Sequence, residues 1–257
     1  MKKVIFILGI FAFIASSCGQ RNTNKNVKEE INEISDVSPQ FIEAVETDKI
    51  SDVYPQLIEA IETDDKSVFD KLIHHISNID SLIQENEVGN FYSLLGLACK
   101  YKCCQLAEKL INLKADIETG ESDEILVFDA LSIAVESEDM CLVKLLLNNG
   151  ANPNRWNSET GCTVLSISCR LNNYDISKLL IESGAIVDGL GDTGFGYINY
   201  PLLHAIGSNN IKLVQLLIDN NCTIDINDNQ GDTPFTIAKR NNNQEMLDLL
   251  TKIQEEQ

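Results

Sequence analysis

The sequence predicts an all-α protein built from stacked helix–turn–helix units. Three observations support this fold class: a sixteen-residue segment that occurs twice in succession, a longer period that occurs six times, and apolar residues at helical spacing within each period. The hydrophobic content of 44% is ample for a core, whereas the 6% aromatic content and five prolines argue against a β-sandwich rich in turns and rings.

The first residues of the chain predict export rather than folded structure. Met1 to Lys3 is a short positive stretch, and the next twelve residues, Val4 to Ala15, are apolar and uncharged. A run of that length is too short for a spanning helix and is typical of a signal peptide. Small residues and then Cys18 follow, which resembles the cleavage site of a bacterial lipoprotein, with Ala15 where leucine is usual. Residues 1–17 are therefore predicted to be a signal peptide and Cys18 a lipidated residue; cleavage of an ordinary signal peptide is the alternative.

The polar residues that follow predict a tether. Residues 18–33 contain little apolar surface, as expected of a flexible segment between an anchor and a folded region. Gly19 occupies the position at which aspartate is the inner-membrane retention signal in enteric-type sorting. We therefore expect an exported, membrane-anchored lipoprotein of the bacterial cell envelope, with the outer membrane favoured.

The cysteines favour buried thiols over a disulfide framework. The chain has eight cysteines, which leaves an odd number if Cys18 carries lipid, and no C-x-x-C spacing suggests a zinc or redox site. Cys99 and Cys169 fall on apolar helix faces, where a free cysteine behaves as a small core residue.

The duplicated segment is the first structural unit. ISDVSPQFIEAVETDK (34–49) is followed by ISDVYPQLIEAIETDD (50–65), with twelve of sixteen positions identical. The second copy predicts a first helix from Tyr54 to Asp64 and is followed by a second helix from Lys66 to Ile76. The first copy lacks a second helix and is predicted to be a duplicated half-repeat. It is either an amphipathic helix that partly covers the N-terminal end of the stack or a tolerated insertion.

The longer period places six units in register. Segments that begin at residues 55, 93, 129, 163, 200 and 233 align, with spacings from 33 to 38 residues. Each predicts a short first helix, a polar turn and a longer second helix. Gly150 and Gly184 are predicted to end second helices, because glycine readily adopts the left-handed conformation. The first helices share a small central residue: Ala60, Ala98, Ala134, Ser168, Ala205 and Ala238.

These units resemble the ankyrin repeat, whose first helix carries the signature T-P-L-H-x-A. YPLLHA (200–205) and DNQGDTP (228–234) come closest, and LLLNNGANPN (145–154) resembles the end of the second helix. The resemblance implies an ankyrin-type helix–turn–helix solenoid with short β-hairpin fingers. It covers six repeats within residues 50–257, starting near 50, 89, 124, 158, 190 and 228. The sequence departs from the signature at the threonine (Pro55, Ser93, Asp129) and at the histidine (Gly96, Ser132, Ser166), which questions the hydrogen bonds at hairpins and helix starts.

The motifs that suggest reactive chemistry are better explained as parts of repeats. GLGDTG (189–194) matches a dinucleotide fingerprint but lacks the strand before it and the helix directly after it. In the stretch from Asp225 to Gly231, the glycine lies one position too late for a calcium loop, and no glutamate closes it. His74 and His75 are adjacent on a helix and point in different directions, and His204 occupies a repeat position. We therefore predict a non-enzyme without cofactor, metal or small-molecule substrate.

The resemblance implies that partners contact the concave face, formed by the fingers and the ends of the first helices. The finger from Gly189 to Asn199 lengthens its repeat, and Ile125 to Phe128 is predicted to be a buried β-like finger. Trp156, the only tryptophan, either anchors a partner or folds back over the repeat beneath it. The predicted partner-binding residues are Tyr101, Glu136, Arg155, Trp156, Arg170, Asp192, Phe195, Tyr197, Asp232 and Arg240.

The net charge of −19 makes nucleic acid an unfavourable partner and favours a basic protein, although acidic surfaces also occur on proteins without a charged partner. We predict a non-catalytic protein–protein interaction module tethered to the bacterial envelope. An immunity or inhibitor protein that neutralises a basic toxin or enzyme is the sharper alternative, and a structural spacer in an envelope complex is another.

Overall fold

A computed structural model of the chain describes residues 53–84, 91–119, 129–155, 162–189 and 200–256. The predicted signal peptide, Cys18, the tether and the half-repeat 34–49 all lie outside the described residues. Those four interpretations stay predictions.

The described residues contain twelve α-helices, which follow one another as six pairs. Pairs one to six are α1 (Val53–Glu62) with α2 (Lys66–Leu72), α3 (Leu94–Lys100) with α4 (Cys104–Asn112), α5 (Ala130–Glu136) with α6 (Met140–Asn148), α7 (Val164–Arg170) with α8 (Tyr174–Glu182), α9 (Pro201–Gly207) with α10 (Ile211–Asp219), and α11 (Pro234–Arg240) with α12 (Gln244–Glu256). A 3-10 turn, Ile73–His75, follows α2, and two short strands, β1 (Ile83–Gln84) and β2 (Phe91–Tyr92), pair antiparallel. The all-α fold predicted from the sequence is confirmed.

The helices form two layers. The first helices of successive pairs pack against each other from α1 to α11, and the second helices pack against each other from α4 to α10. The small residues predicted at the centres of the first helices are all buried, from Ala60 to Ala238. Because the distance between packed helices depends on the side chains at the contact, small residues there allow neighbouring first helices to approach closely. One continuous apolar core runs from Leu57 to Ile253.

The first helices begin with side-chain caps despite the departures from the ankyrin signature. Ser93, Asp129 and Thr163 each accept a hydrogen bond from the backbone N–H three residues later, at 3.0, 2.9 and 3.1 Å. In α9 no side chain caps the helix, but Pro201 at its first position has no N–H to satisfy. The sequence left the hydrogen bonds at these helix starts in question. The structure shows them at Ser93 and Asp129, because serine and aspartate cap a helix as well as threonine does.

Left-handed residues occur at both ends of the second helices. Gly150 and Gly184 have φ of +95°, which confirms their predicted role as helix stops. The turn between the two helices of every pair also contains a left-handed residue with φ between +51° and +60°, and none of the six is glycine: Asp64, Lys102, Glu138, Asn172, Asn209 and Asn242.

Side-chain hydrogen bonds connect the turns of successive pairs. Each joins the residue that caps a second helix to the left-handed residue of the preceding turn, and we call it a turn rung. The three turn rungs run from Asn173 Nδ2 to Glu138 Oε2 at 2.9 Å, from Asn210 Nδ2 to Asn172 Oδ1 at 2.6 Å and from Asn243 Nδ2 to Asn209 Oδ1 at 2.6 Å.

A second series joins the loops that follow the second helices, and we call these bonds loop rungs. In each, a side-chain oxygen of one pair accepts a hydrogen bond from a backbone N–H of the next pair. These bonds run from the N–H of Asp116 to Asp80 (2.8 Å), of Asn152 to Glu118 (2.9 Å), of Ile186 to Asn154 (2.7 Å) and of Thr223 to Asp188 (2.7 Å).

One disulfide links pairs two and three, between Cys104 of α4 and Cys141 of α6. The sequence-based preference for free thiols is wrong for these two residues, because α4 and α6 pack side by side and bring the two sulfur atoms together. That preference is confirmed for the five other cysteines of the described residues, which are free and buried: Cys99, Cys103, Cys162, Cys169 and Cys222.

Candidate partner-binding surface

The first helices of the inner pairs leave very little of themselves exposed, whereas α1 and α11 each expose several residues. In α3, α5 and α7, the first six of the seven residues are buried, so the last residue is the only one that reaches the surface. Across the six pairs these last residues form one line, which we call the tail row: Glu62, Lys100, Glu136, Arg170, Gly207 and Arg240. The tail row alternates between acidic and basic side chains over pairs one to four, and it is not uniformly acidic despite the net charge of the chain.

At pairs one and two, the tail row is cross-linked by side chains. The Tyr101 hydroxyl donates a hydrogen bond to Glu62 Oε1 at 2.8 Å, and this bond spans the two pairs. The Lys100 ammonium lies 4.6 Å from the centre of the Tyr92 ring and 5.8 Å from that of Tyr101. Lys100 therefore rests over aromatic faces, where a cation is favoured.

At pair six, the cation of the tail row is neutralised. The Arg240 guanidinium donates a hydrogen bond to Asp232, which directly precedes the N-cap residue of the same helix. The hydrogen bond and charge of Asp232 raise the pKa of Arg240 above its ordinary value. Asp232 is held in turn by the finger, because its N–H donates to Asp228 Oδ1 at 2.8 Å.

At pair four, the equivalent cation has no such partner. Arg170 ends α7 as Arg240 ends α11, but Cys162 stands where Asp232 stands in pair six. Arg170 is exposed and makes no side-chain hydrogen bond or ion pair with the described part of the chain. The neighbouring tail-row position, Gly207, has no side chain, and no described atom lies within 4 Å of where its Cβ would be, so the described surface beside Arg170 is open.

The floor of this open region contains a histidine. His204 occupies the α9 position at which the neighbouring first helices have Leu97, Ile133 and Ile167, all of them buried. The His204 ring is half-buried, and its Nε2 atom has no hydrogen-bond partner among the described residues. Burial, and secondarily the positive charge of Arg170, lower the pKa of His204 below its ordinary value of 6.5. The imidazole is therefore neutral at pH 7.

The remaining predicted site residues have different surroundings. Arg155 is mostly buried, with 11% of its side chain exposed, and its Nε lies 3.5 Å from Glu118 Oε2. Glu118 is also the acceptor of a loop rung, so Arg155 belongs to a connection between pairs two and three. Glu136 is exposed at the end of α5. Trp156, Asp192, Phe195, Tyr197 and the finger Ile125 to Phe128 lie outside the described residues.

The Asp228 carboxylate of the finger before α11 is used within the finger. Asp228 accepts hydrogen bonds from the N–H groups of Gln230 at 2.9 Å and Asp232 at 2.8 Å. Over the ranges that the structure describes, no group of three or more histidine, cysteine, aspartate or glutamate side chains is placed to hold a metal ion. No helix within those ranges is long and apolar enough to cross a membrane.

The stacked helix pairs and the tail row are those of a helical repeat-array protein. A family model described as ankyrin repeats (3 copies) matches residues 95–191 and 191–256, which is more than half of the chain. The protein belongs to the ankyrin repeat family. Ankyrin repeats indicate a protein–protein interaction module, so protein partners are implied.

Several curated proteins are similar to parts of the chain. An ankyrin repeat protein of Acanthamoeba polyphaga mimivirus is 26% identical over 182 residues, which cover 71% of this chain and 22% of that protein. An ankyrin repeat protein of fowlpox virus is 31% identical over 165 residues, covering 62% of this chain and 46% of that protein. An ankyrin repeat and KH domain-containing protein of Caenorhabditis briggsae is 32% identical over 131 residues, covering 51% and 5% respectively. The chain thus spans less than half the length of each of these relatives.

Proposed function

We propose that this protein is a non-catalytic binding module that holds a protein partner along the tail row and the adjacent fingers. The observation that carries the proposal is the burial of α3, α5 and α7 up to their last residue. The last residue of the first helix recurs as a surface position in every pair, and its side chain changes from each pair to the next. Such a line can match a partner side chain by side chain.

Within the tail row, Arg170 is the position at which we place the main polar contact. Lys100 already rests over Tyr92, and Arg240 is already paired with Asp232, so a new ion pair there would replace an existing interaction. Arg170 has no hydrogen bond or ion pair with the described residues to lose, and the neighbouring tail-row position, Gly207, has no side chain. An arginine presents a planar fork of donors that matches a carboxylate, so the favoured contact is an acidic side chain of the partner.

The acidic excess of the chain supports a second candidate function. Acidic residues outside the tail row lie on the turns and second helices, such as Asp70, Asp139, Asp175, Asp219 and Asp248. A basic toxin or enzyme would be attracted to those surfaces, which is the basis of the immunity or inhibitor alternative. In that case binding would weaken strongly as salt rises and would not depend on Arg170.

The membrane tether belongs to the same proposal. The charged start, the apolar run and the small residues before Cys18 support export and lipidation. Metabolic labelling with a fatty acid tests this directly: label is expected on the chain and is expected to disappear in Cys18→Ala. Label that persists in this variant, or no label on the parent chain, would contradict the anchor.

The binding face is tested by affinity capture from envelope extracts. The bait is the soluble form that begins at Gly19, compared with the variants Arg170→Gln and Lys178→Gln. Lys178 is the matched control, because it removes the same charge from the same pair but lies on α8, where it pairs with Glu182. We expect Arg170→Gln to weaken capture by about tenfold or more, as for a central charged contact, and Lys178→Gln to leave it unchanged.

Two outcomes would redirect the proposal. Equal capture by the parent chain and both variants that does not depend on salt would remove the tail row as the binding face and leave a structural spacer. Equal capture by all three that weakens strongly as salt rises would favour the acidic surface and the inhibitor role.

A further inference from the structure

The junction between pairs two and three lacks a turn rung. Pairs three to six are joined by the rungs Glu138–Asn173, Asn172–Asn210 and Asn209–Asn243. At the junction of pairs two and three, the equivalent residues are Lys102 and Asp139, and no hydrogen bond joins their side chains. The Asp139 carboxylate instead caps its own helix, accepting from the N–H groups of Cys141 at 2.9 Å and Leu142 at 3.1 Å.

The disulfide lies where this rung is missing. Cys104 is the first residue of α4 and directly follows the turn that contains Lys102. Cys141 is the second residue of α6 and directly follows the turn that contains Asp139. The Cys104–Cys141 bond therefore joins the same two turns that a side-chain hydrogen bond joins at each of the three following junctions.

Among the described cysteines, these two are also the ones that solvent reaches. Cys141 is exposed and Cys104 is half-buried, whereas the five free thiols are buried. Burial raises the pKa of Cys169 and of Cys222 to about 12 and raises that of Cys99 further, so these thiols do not form the reactive thiolate. Cys103, although adjacent to Cys104, directs its sulfur to the Ile61 carbonyl oxygen of pair one at 3.1 Å.

We propose that Cys104–Cys141 is a redox-controlled covalent rung, which strengthens the coupling between the first two helix pairs and the last four while it is oxidised. Its formation converts two thiols into one S–S bond and releases two protons and two electrons. A disulfide-bearing oxidant takes them up by thiol–disulfide exchange and is itself reduced to a dithiol. A dithiol reductant reverses the reaction. In the reduced chain, this junction keeps the helix packing and the loop rung of Glu118 but has no turn rung.

The proposal rests on nearest-neighbour coupling in a repeat array. Each pair contacts only its neighbours, so a junction that loses a connection opens more readily than it did before. The disulfide closes a loop between residues separated by 37 positions, which restrains the opened state most strongly at this junction.

Hydrogen exchange of the full chain, read peptide by peptide, tests the proposal. Peptide mapping without reductant first establishes the Cys104–Cys141 pairing. Reduction with dithiothreitol is then expected to accelerate amide exchange in α3 to α6 by about tenfold or more, while α9 to α12 change little. The double variant Cys104→Ser/Cys141→Ser should exchange like the reduced parent chain and should not respond to dithiothreitol.

A rescue variant tests whether the disulfide replaces a rung. Adding Lys102→Asn and Asp139→Asn to the double serine variant recreates the asparagine pair found between pairs four and five and between pairs five and six. Asparagine tolerates the left-handed turn at 102, where φ is +59°, and caps a helix well at 139. This variant is expected to recover at least a third of the lost protection.

Three results would overturn the proposal: free thiols or another pairing in the mapping, equal exchange before and after reduction, or acceleration spread evenly over all six pairs. If the serine variants fail to fold, the parent chain before and after reduction still decides the outcome.

Discussion

The two helices of one pair carry very different constraints. In pair four, α7 buries six of its seven residues, whereas α8 buries Ile176, Ser177 and Leu180 among nine. The first helix is enclosed by its neighbours on both sides, and the second helix contacts the core along one stripe. Packing therefore decides nearly every residue of α3, α5 and α7 and leaves their tail-row residues as the exposed part. The second-helix layer has more freedom, and much of the acidic charge is found there.

Leucine-to-alanine substitutions in the two helix layers should differ most in their effect on the free energy of unfolding. Leu165 of α7 is fully buried, whereas Leu179 of α8 is half-buried. We expect Leu165→Ala to lower the free energy of unfolding by about 2–5 kcal/mol, because it removes buried methyl groups and leaves a cavity. Leu179→Ala should cost roughly 1 kcal/mol. Urea unfolding followed by circular dichroism measures both; equal losses would contradict the contrast between layers.

The turn rungs should have an intermediate effect. Asn210 caps α10 through its bond to the Leu213 N–H at 3.0 Å and also donates to Asn172 of the preceding pair. We expect Asn210→Ala to cost about 1–2 kcal/mol, because both interactions are lost. Asn210→Ser keeps the cap but is too short for the rung, so it should cost roughly half as much. The same unfolding experiment measures both variants, and equal stability of Asn210→Ser and the parent chain would show that the rung contributes nothing.

His204 should make the stability of the first-helix layer depend on pH. Its pKa in the folded chain lies below the ordinary 6.5, so the unfolded chain takes up a proton first as the pH falls. Stability is therefore expected to be complete above about pH 6.5 and to decrease below it. His204→Leu, which introduces the residue found at Leu97, should reduce the loss of Tm between pH 7 and pH 5. An unchanged pH profile in this variant would assign the acid sensitivity to other groups.

Arg170 should have the smallest effect on stability and the clearest effect on binding. Arg170→Gln removes an exposed side chain without a partner in the described residues, so the Tm should stay within about 2 °C of that of the parent chain. Arg240→Gln breaks the pair with Asp232 and serves as the comparison, with a smaller expected loss of partner affinity. Thermal unfolding and affinity capture of both variants separate the two roles. A lower affinity for Arg240→Gln than for Arg170→Gln would place the main contact at pair six.

The fold was predictable because its signals are local and recur six times. Small central residues such as Ala98 and Ala134 predicted the first-helix layer, and Gly150 and Gly184 predicted the ends of second helices. For the candidate surface, only the positions of its residues were predictable. Arg170 and Arg240 occupy the same position in their repeats, and the sequence around them does not indicate that one is paired and the other is not. The ion pair between Arg240 and Asp232 is apparent only in the folded structure, where the finger lies next to α11.

The sequence by itself determined the helix pairs, their number and their register, because helix periodicity, caps and left-handed turns act over a few residues and recur along the chain. The tertiary structure alone decided the contacts between pairs: the rungs, the Cys104–Cys141 bond and the contrast between Arg170 and Arg240. The Arg240–Asp232 pair joins two parts of one repeat that no local sequence pattern relates. The rungs and the disulfide join residues more than thirty positions apart. They depend on the distance and angle at which one pair stacks on the next, and those follow from the packing of whole helices.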